Sequence, residues 1–312
     1  MQSSNEQPAN LLEAIRRPRV LVAILLIADL AILLGLWWLG FFSPRTPDQF
    51  DGQSAYAHVT AQLEFGPRVT GSAASLAAGD YISGQLEDLG WQAEFQPFVY
   101  RDTPVRNILA KANVGKEPII ILGAHYDSRR RADRDPERPS DPVPGANDGA
   151  SGVAVLLELA RSLDRSQIPH EIWLAFFDAE DNGGLDGWDW IAGSTHMAEH
   201  LTVQPQMMIL VDMVGDADQT LYFDSNSDAA LSAQVWATAA RLGYGAQFIP
   251  LPKWTMLDDH VPFARRGIPS IDIIDFDYPY WHTTADTADK VSAASLERVG
   301  RTLETFLEAL GR

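Results

Sequence analysis

Ile119-Ile120-Ile121-Leu122-Gly123-Ala124-His125-Tyr126-Asp127-Ser128 is the stretch on which the fold turns. An apolar run without polar alternation ends at an imidazole, with a carboxylate two residues further on. A continuous apolar run of strand length suits a strand covered on both faces, as in a parallel sheet packed between helices. Runs of the same kind recur at 171–177, 207–213 and 268–274. Helical periodicity fills the intervals and predicts helices over 148–163, 185–200, 228–242 and 293–310. Upstream, helices are expected at 54–64 and 72–89, then strands at 91–100, 105–112 and 118–124. This alternation predicts an α/β fold with a mostly parallel central sheet flanked by helices on both faces.

Ligands of such sheets bind in the crevice beyond the carboxyl ends of the strands. His125, Asp148, the pair Glu180-Asp181, Asp212 and His282 each follow an apolar run or lie in the loop leading from one. Two imidazoles and several carboxylates meeting there suit a hard or borderline cation, zinc above all. Cys is absent, so neither thiolate ligands nor disulfides are available. Asp127 is placed to accept the spare ring N–H of His125 and fix its tautomer. Asp148 suits a helix N-cap equally well, but its small neighbours in Gly145-Ala146-Asn147-Asp148-Gly149-Ala150-Ser151-Gly152 favour close backbone approach to something. Asp178, Glu180 and Asp181 crowd three acids after a buried strand, a costly arrangement unless a cation or a shared proton offsets it. Asp212 alone reads as a ligand or as a turn cap. Tyr280 and Trp281 beside His282, with Trp188, are candidate pocket walls. Residues 129–144, rich in Arg, Asp and Pro, read as a solvated surface insertion or as a flap over the cleft.

Residues 20–38 are almost wholly apolar and lead into Trp37, Trp38, Phe41 and Phe42, an interfacial aromatic belt. About 20 such residues cross a bilayer. Arg16, Arg17 and Arg19 precede the span, so the amino terminus is expected in the cytoplasm and the rest outside. The expected organisation is a cytoplasmic segment 1–19, an anchor 20–42, a linker 43–53 and a catalytic domain 54–312 in a single-pass membrane protein. Asp29 falls inside the span, where an acid costs about 2–3 kcal/mol. The net charge is −18; four Arg against Glu6, Glu13 and Asp29 in residues 1–45 leave −19 on the remainder. Such acidity argues against nucleic acid as a partner.

In this order and spacing, the quoted motifs resemble the metallopeptidase family that contains the bacterial zinc aminopeptidases and the glutaminyl cyclases, peptidase family 28. The similarity covers nearly all of residues 50–312. It implies that Asp148, Asp181 and His282 bind a principal zinc, and that His125 and Asp212 bind a second zinc or support the first. It implies Glu180 as the general acid/base, with Asp259 hydrogen-bonded near it and His260 supporting. Asp258-Asp259-His260-Val261-Pro262-Phe263 and Trp281 directly before His282 resemble the cyclase branch. The expected activity is therefore a glutaminyl-peptide cyclotransferase, closing N-terminal Gln to pyroglutamate with release of ammonia. A zinc aminopeptidase is the alternative, and an inactive binding ectodomain a third; no ligand and no Glu180 is missing, which disfavours the last.

Overall fold

The apolar run 119–124 builds the middle of the sheet. The computed structural model describes residues 49–311 together with Val22. In it β3 (Ile119–His125) pairs in parallel with β4 (Glu171–Phe177) on one side and β5 (Met207–Asp212) on the other. β8 (Ser270–Ile274) continues the parallel run beyond β5. β1 (Gln92–Tyr100) and β2 (Thr103–Ala112) form an antiparallel hairpin, and β2 joins β4 antiparallel. The order β1-β2-β4-β3-β5-β8 makes a mixed, mostly parallel sheet.

Alternation within the buried strands feeds two cores, because successive side chains point to opposite faces. Ile120, Leu122, Ile172, Leu174, Ile209 and Val211 enter one core. Helices α1 (Gly52–Leu63), α2 (Ala73–Asp88), α3 (Ala150–Ser162), α5 (Ala229–Arg241) and α7 (Ala293–Ala309) all contribute to it. Ile121, Trp173, Met208 and Leu210 face a smaller core with α4 (Ala192–His200) and α6 (Val261–Arg265). Each fully buried aliphatic side chain stabilises the fold by roughly 1.5–3 kcal/mol, and a one-residue slip of a central strand would exchange the side chains of the two cores and disturb the packing of both.

Three local features depart from the sequence reading. The helix expected over 185–200 begins only at Ala192. Asp186, Gly187 and Ile191 take positive φ, which breaks the helical path and turns residues 183–191 into a loop. A two-stranded parallel sheet of β6 (Leu221–Asp224) and β7 (Phe248–Trp254) was not expected. β6 is four residues long and β7 contains Pro250 and Pro252, which remove ladder donors and mask the strand signal. Helix α6 is a single short turn-and-a-half whose place in the chain carried no periodicity.

Apart from Val22, the anchor expected at 20–42, Asp29 included, lies outside the described residues. Among the described residues no helix is long and apolar enough to cross a membrane.

Candidate metal centre

Strand ends and one close helix approach assemble the site. His125 closes β3, Asp212 closes β5, and Glu180 and Asp181 follow β4 by three and four residues. Asp148 stands just before α3, whose N-terminus is drawn against the strand ends by glycine. A Cβ on Gly149 would lie 2.5 Å from the His125 ring, and one on Gly152 would lie 2.2 Å from the Val211 carbonyl oxygen. Small residues there let the backbone at Asp148 come close enough for its two carboxylate oxygens to approach His125 on one side and His282 on the other.

Two groups of ligand atoms result: His125, Asp148 and Asp212, and Asp148, Asp181 and His282. His125 Nε2 lies 3.1 Å from Asp148 Oδ1 and 3.0 Å from Asp212 Oδ1. His282 Nε2 lies 2.9 Å from Asp181 Oδ1 and 3.8 Å from Asp148 Oδ2. Asp148 belongs to both groups, so its carboxylate is positioned to bridge two ions. All five side chains are buried. Buried polar atoms are normally hydrogen-bonded, yet Asp148 Oδ2, Asp181 Oδ2 and His282 Nε2 have no hydrogen-bond partner. Lone pairs converging without donors on the imidazole and two carboxylates of the Asp148, Asp181 and His282 group fit a zinc-type cation there, while in the other group His125 Nε2 is hydrogen-bonded to Asp212 Oδ1 at 3.0 Å.

The field at the site has the same sense. Burial pushes Asp212 up to about 7, opposed by His125. Burial and the Asp148 charge push Asp181 up to about 6, opposed by His282 and Arg129. On His125, burial is outweighed by Asp212, Asp127 and Asp148, which raise its proton affinity well above the ordinary value. Positive charge is therefore favoured at this point. Glu180, 7% exposed, is raised well above the carboxylate range by burial, and its neighbours Asp181, Asp258 and Asp259 add to the shift. A carboxylate with raised proton affinity beside the ligand groups is a candidate to accept and return a proton.

Supporting contacts hold the ligands. Asp127 Oδ1 lies 3.5 Å from His125 Nδ1, and Asp127 accepts the Glu180 and Asp181 backbone N–H groups at 3.1 and 3.3 Å. Asp286 accepts the Asn147 and Asp148 N–H groups at 2.8 and 3.2 Å and the Tyr278 hydroxyl at 2.7 Å. Arg68, fully buried, donates to the carbonyls of Tyr126, Pro144 and Gly145. Sequence reasoning missed both Asp286 and Arg68. Asp286 stands four residues after His282, a proximity that could have drawn attention to it; Arg68 carries no local signal.

The segment 129–144 is a surface loop with residues 133, 134 and 136–142 exposed, as expected, but part of it also contacts the loop that carries His282. The Arg134 N–H donates to the His282 carbonyl at 3.3 Å, and the Arg134 guanidinium sits 4.1 Å from the Trp281 ring centroid. Asp133 Oδ1 lies 3.6 Å from His282 Nδ1, and Asp135 accepts the Thr284 N–H at 2.9 Å. Arg129 donates to Asp133 and to the Asp181 carbonyl. The segment braces the loop that carries His282.

A cavity of 180 Å³ opens over the ligands, walled by Trp190, Trp281, Phe276, Met256 and Leu257, with Glu180 and Asp258 on its surface. Trp281 is where the sequence placed it. Trp188 instead lines the neighbouring groove, and the tryptophan stacked on His282, with centroids 5.9 Å apart, is Trp190. Tyr280 packs on Tyr278 and does not line the cavity. Of the adjacent acids, Asp258 faces the cavity while Asp259 is fully buried behind it. His260 contacts Asp224 at 3.1 Å rather than a ligand.

Residues 107–307 match Peptidase family M28. The chain is 28% identical over 288 residues to a glutaminyl-peptide cyclotransferase-like protein of Bos taurus, covering 78% of this chain and 72% of that protein. Among solved structures, Porphyromonas gingivalis glutaminyl cyclase superposes with a TM-score of 0.80 at 35% identity, covering 84% of this chain and 99% of that one. A leucine aminopeptidase precursor from Bacteroides thetaiotaomicron superposes with a TM-score of 0.79 at 35% identity, covering 83% and 97%.

Proposed function

The chain belongs to peptidase family M28, and from that premise we propose that it is a zinc-dependent glutaminyl-peptide cyclotransferase acting on peptide N-termini. The observation that carries this reading is a buried Glu180 with raised proton affinity, set with the ligand groups in a small aromatic-walled cavity. Asp148, Asp181 and His282 would hold the principal zinc, and His125 and Asp212 with Asp148 a second. Zinc held there supplies Lewis-acid polarisation of the side-chain carbonyl.

Glu180 takes a proton from the substrate α-amine as that nitrogen bonds to the carbonyl carbon of the side-chain amide, Cδ. It returns a proton to the side-chain nitrogen as the C–N bond breaks, and ammonia leaves. Trp190, Trp281 and Phe276 hold the glutamine side chain folded on itself and keep bulk water away. For an intramolecular closure, such positioning supplies much of the rate. The 20–42 span, on its sequence, would anchor this domain outside the cytoplasm.

Aminopeptidase activity is the second reading. It is favoured by the shared Asp148, which completes two ligand groups. The deciding experiment incubates the metal-loaded protein with Gln-peptides and aminoacyl substrates side by side, with metal quantified in the same sample. Pyroglutamate and ammonia are expected. Release of free N-terminal residues without ammonia would replace the first reading with the second.

A further inference from the structure

Both imidazoles of the site face carboxylates on two edges. His125 turns Nε2 toward Asp148 and Asp212, and its Nδ1 lies 3.5 Å from Asp127 Oδ1. His282 turns Nε2 toward Asp181 and Asp148, and its Nδ1 lies 3.6 Å from Asp133 Oδ1. The same stretch of chain leaving β3 therefore reaches the outer edge of both rings. Asp127 stands beside its histidine in the sequence, whereas Asp133 and His282 meet only through the fold.

A neutral imidazole has one lone pair and one N–H. A ligand nitrogen keeps its lone pair for the cation, so the proton belongs on Nδ1 and needs an acceptor there. Trp190 and Trp281 lie against the His282 ring with planes at 12° and 31°. Stacking supports a plane, yet a half-turn of the ring within that plane would exchange Nδ1 with Cδ2 and Nε2 with Cε1. An acceptor at the outer edge is what distinguishes the two orientations. Among the described residues, the acid in ion-pair reach of His282 Nδ1 is Asp133.

That carboxylate is itself held. Arg129 grips Asp133 Oδ1 and Oδ2 at 2.7 and 2.9 Å, and donates to the Asp181 carbonyl at 2.8 Å. A carboxylate oxygen has two lone pairs, so Oδ1 can accept from Arg129 and from the imidazole together. Asp127 is fully buried and also accepts the Glu180 and Asp181 N–H groups, whereas the Asp133 side chain is 40% exposed. Removing Asp133 therefore tests the ring contact without opening the core.

Resting on the zinc reading of the site, we infer that Asp133 is the positioning residue of His282: it accepts the Nδ1–H and so holds the imidazole with Nε2 turned to the cation.

The test uses the full chain in detergent, as parent and as Asp133→Ala. Zinc affinity is measured by competition with a chromogenic chelator. The His282 Nδ1–H resonance of the zinc-loaded, 15N-labelled protein is followed by NMR and assigned by its loss in His282→Gln. Asp133→Ala should weaken zinc about tenfold, the lower end of what such outer partners contribute, because an exposed acceptor is screened and replaceable by water. The resonance, slowly exchanging in the parent, should be lost to solvent exchange in the variant. Unchanged zinc affinity, or weakened affinity with the resonance kept, overturns the inference and leaves the proposed function standing. A parent chain that takes up no zinc overturns the inference and the zinc reading together.

Discussion

The two ligand groups share Asp148 but are mounted differently. His125 and Asp212 sit on the last residues of β3 and β5, adjacent strands in the middle of the sheet. Their position follows from strand pairing and from a core that tolerates no slip. Asp181 and His282 stand on loops, and those loops are held by Asp127, Arg129 and the braced 129–144 segment. A sheet fixes the first group directly, whereas the second depends on hydrogen bonds and cation–π contacts between loops. Placement by the sheet and placement by loops thus meet at one shared carboxylate, Asp148. The loop-borne side is also the one on which the aromatic walls Trp190 and Trp281 stand.

The strongest way to break this contrast is to remove the residue common to both sides. Asp148→Asn should abolish metal retention at both groups, read by elemental analysis, and lower turnover by at least about 10³-fold. It should also erase the drop in Tm that chelator produces in the parent protein, since an ion binding only the folded state stabilises it. Retention of stoichiometric zinc by this variant would refute the shared-ligand arrangement. Glu180→Gln separates chemistry from scaffold: turnover should fall roughly 10²–10⁴-fold while zinc content stays at the parent level. Wild-type rates in that variant would remove Glu180 from the mechanism.

Bracing is tested by two milder changes. Arg134→Ala removes the contact over Trp281 and should weaken zinc affinity about tenfold at the loop-borne group, as supporting residues around zinc ligands do. Competition with a chromogenic chelator, which resolves one ion from two, measures this. Weakening at the His125–Asp212 group instead would show that the 129–144 segment does not support the loop-borne ligands. The smallest expected effect lies far from both groups. Burial lowers His58 to about 4, and its Nδ1 lies 2.6 Å from the Tyr81 hydroxyl. Between an unfolded value near 6.5 and the folded value, the unfolded chain takes up a proton that the folded one refuses, so stability declines as pH falls through that window. Urea denaturation at pH 7 and pH 5 should show a smaller difference for His58→Gln than for the parent, with metal retention alike in both. An identical difference would mean that His58 does not report on acid stability.

Legibility followed the same division. The runs that became β3, β4, β5 and β8 could be recognised because strands buried on both faces need apolar residues at every position. The candidate ligands His125 and Asp212 were legible through their place at the ends of such runs, although Asp212 alone could equally have capped a turn. β6 and β7 escaped because a four-residue strand and a strand with two prolines carry no periodic signal. Trp188 against Trp190, and Asp259 against Asp258, are neighbours that differ only in direction. Positive φ at Asp186, Gly187 and Ile191 decides the first pair, and the entry to α6 the second.

The sequence by itself determined the strand-end chemistry, since residue type beside an apolar run is a local property of the chain. Only the tertiary structure decided which loop side chains face the cavity and that residues 129–144 brace His282. Those outcomes depend on backbone turns and on contacts between segments far apart in the chain, and no local pattern of residues encodes them.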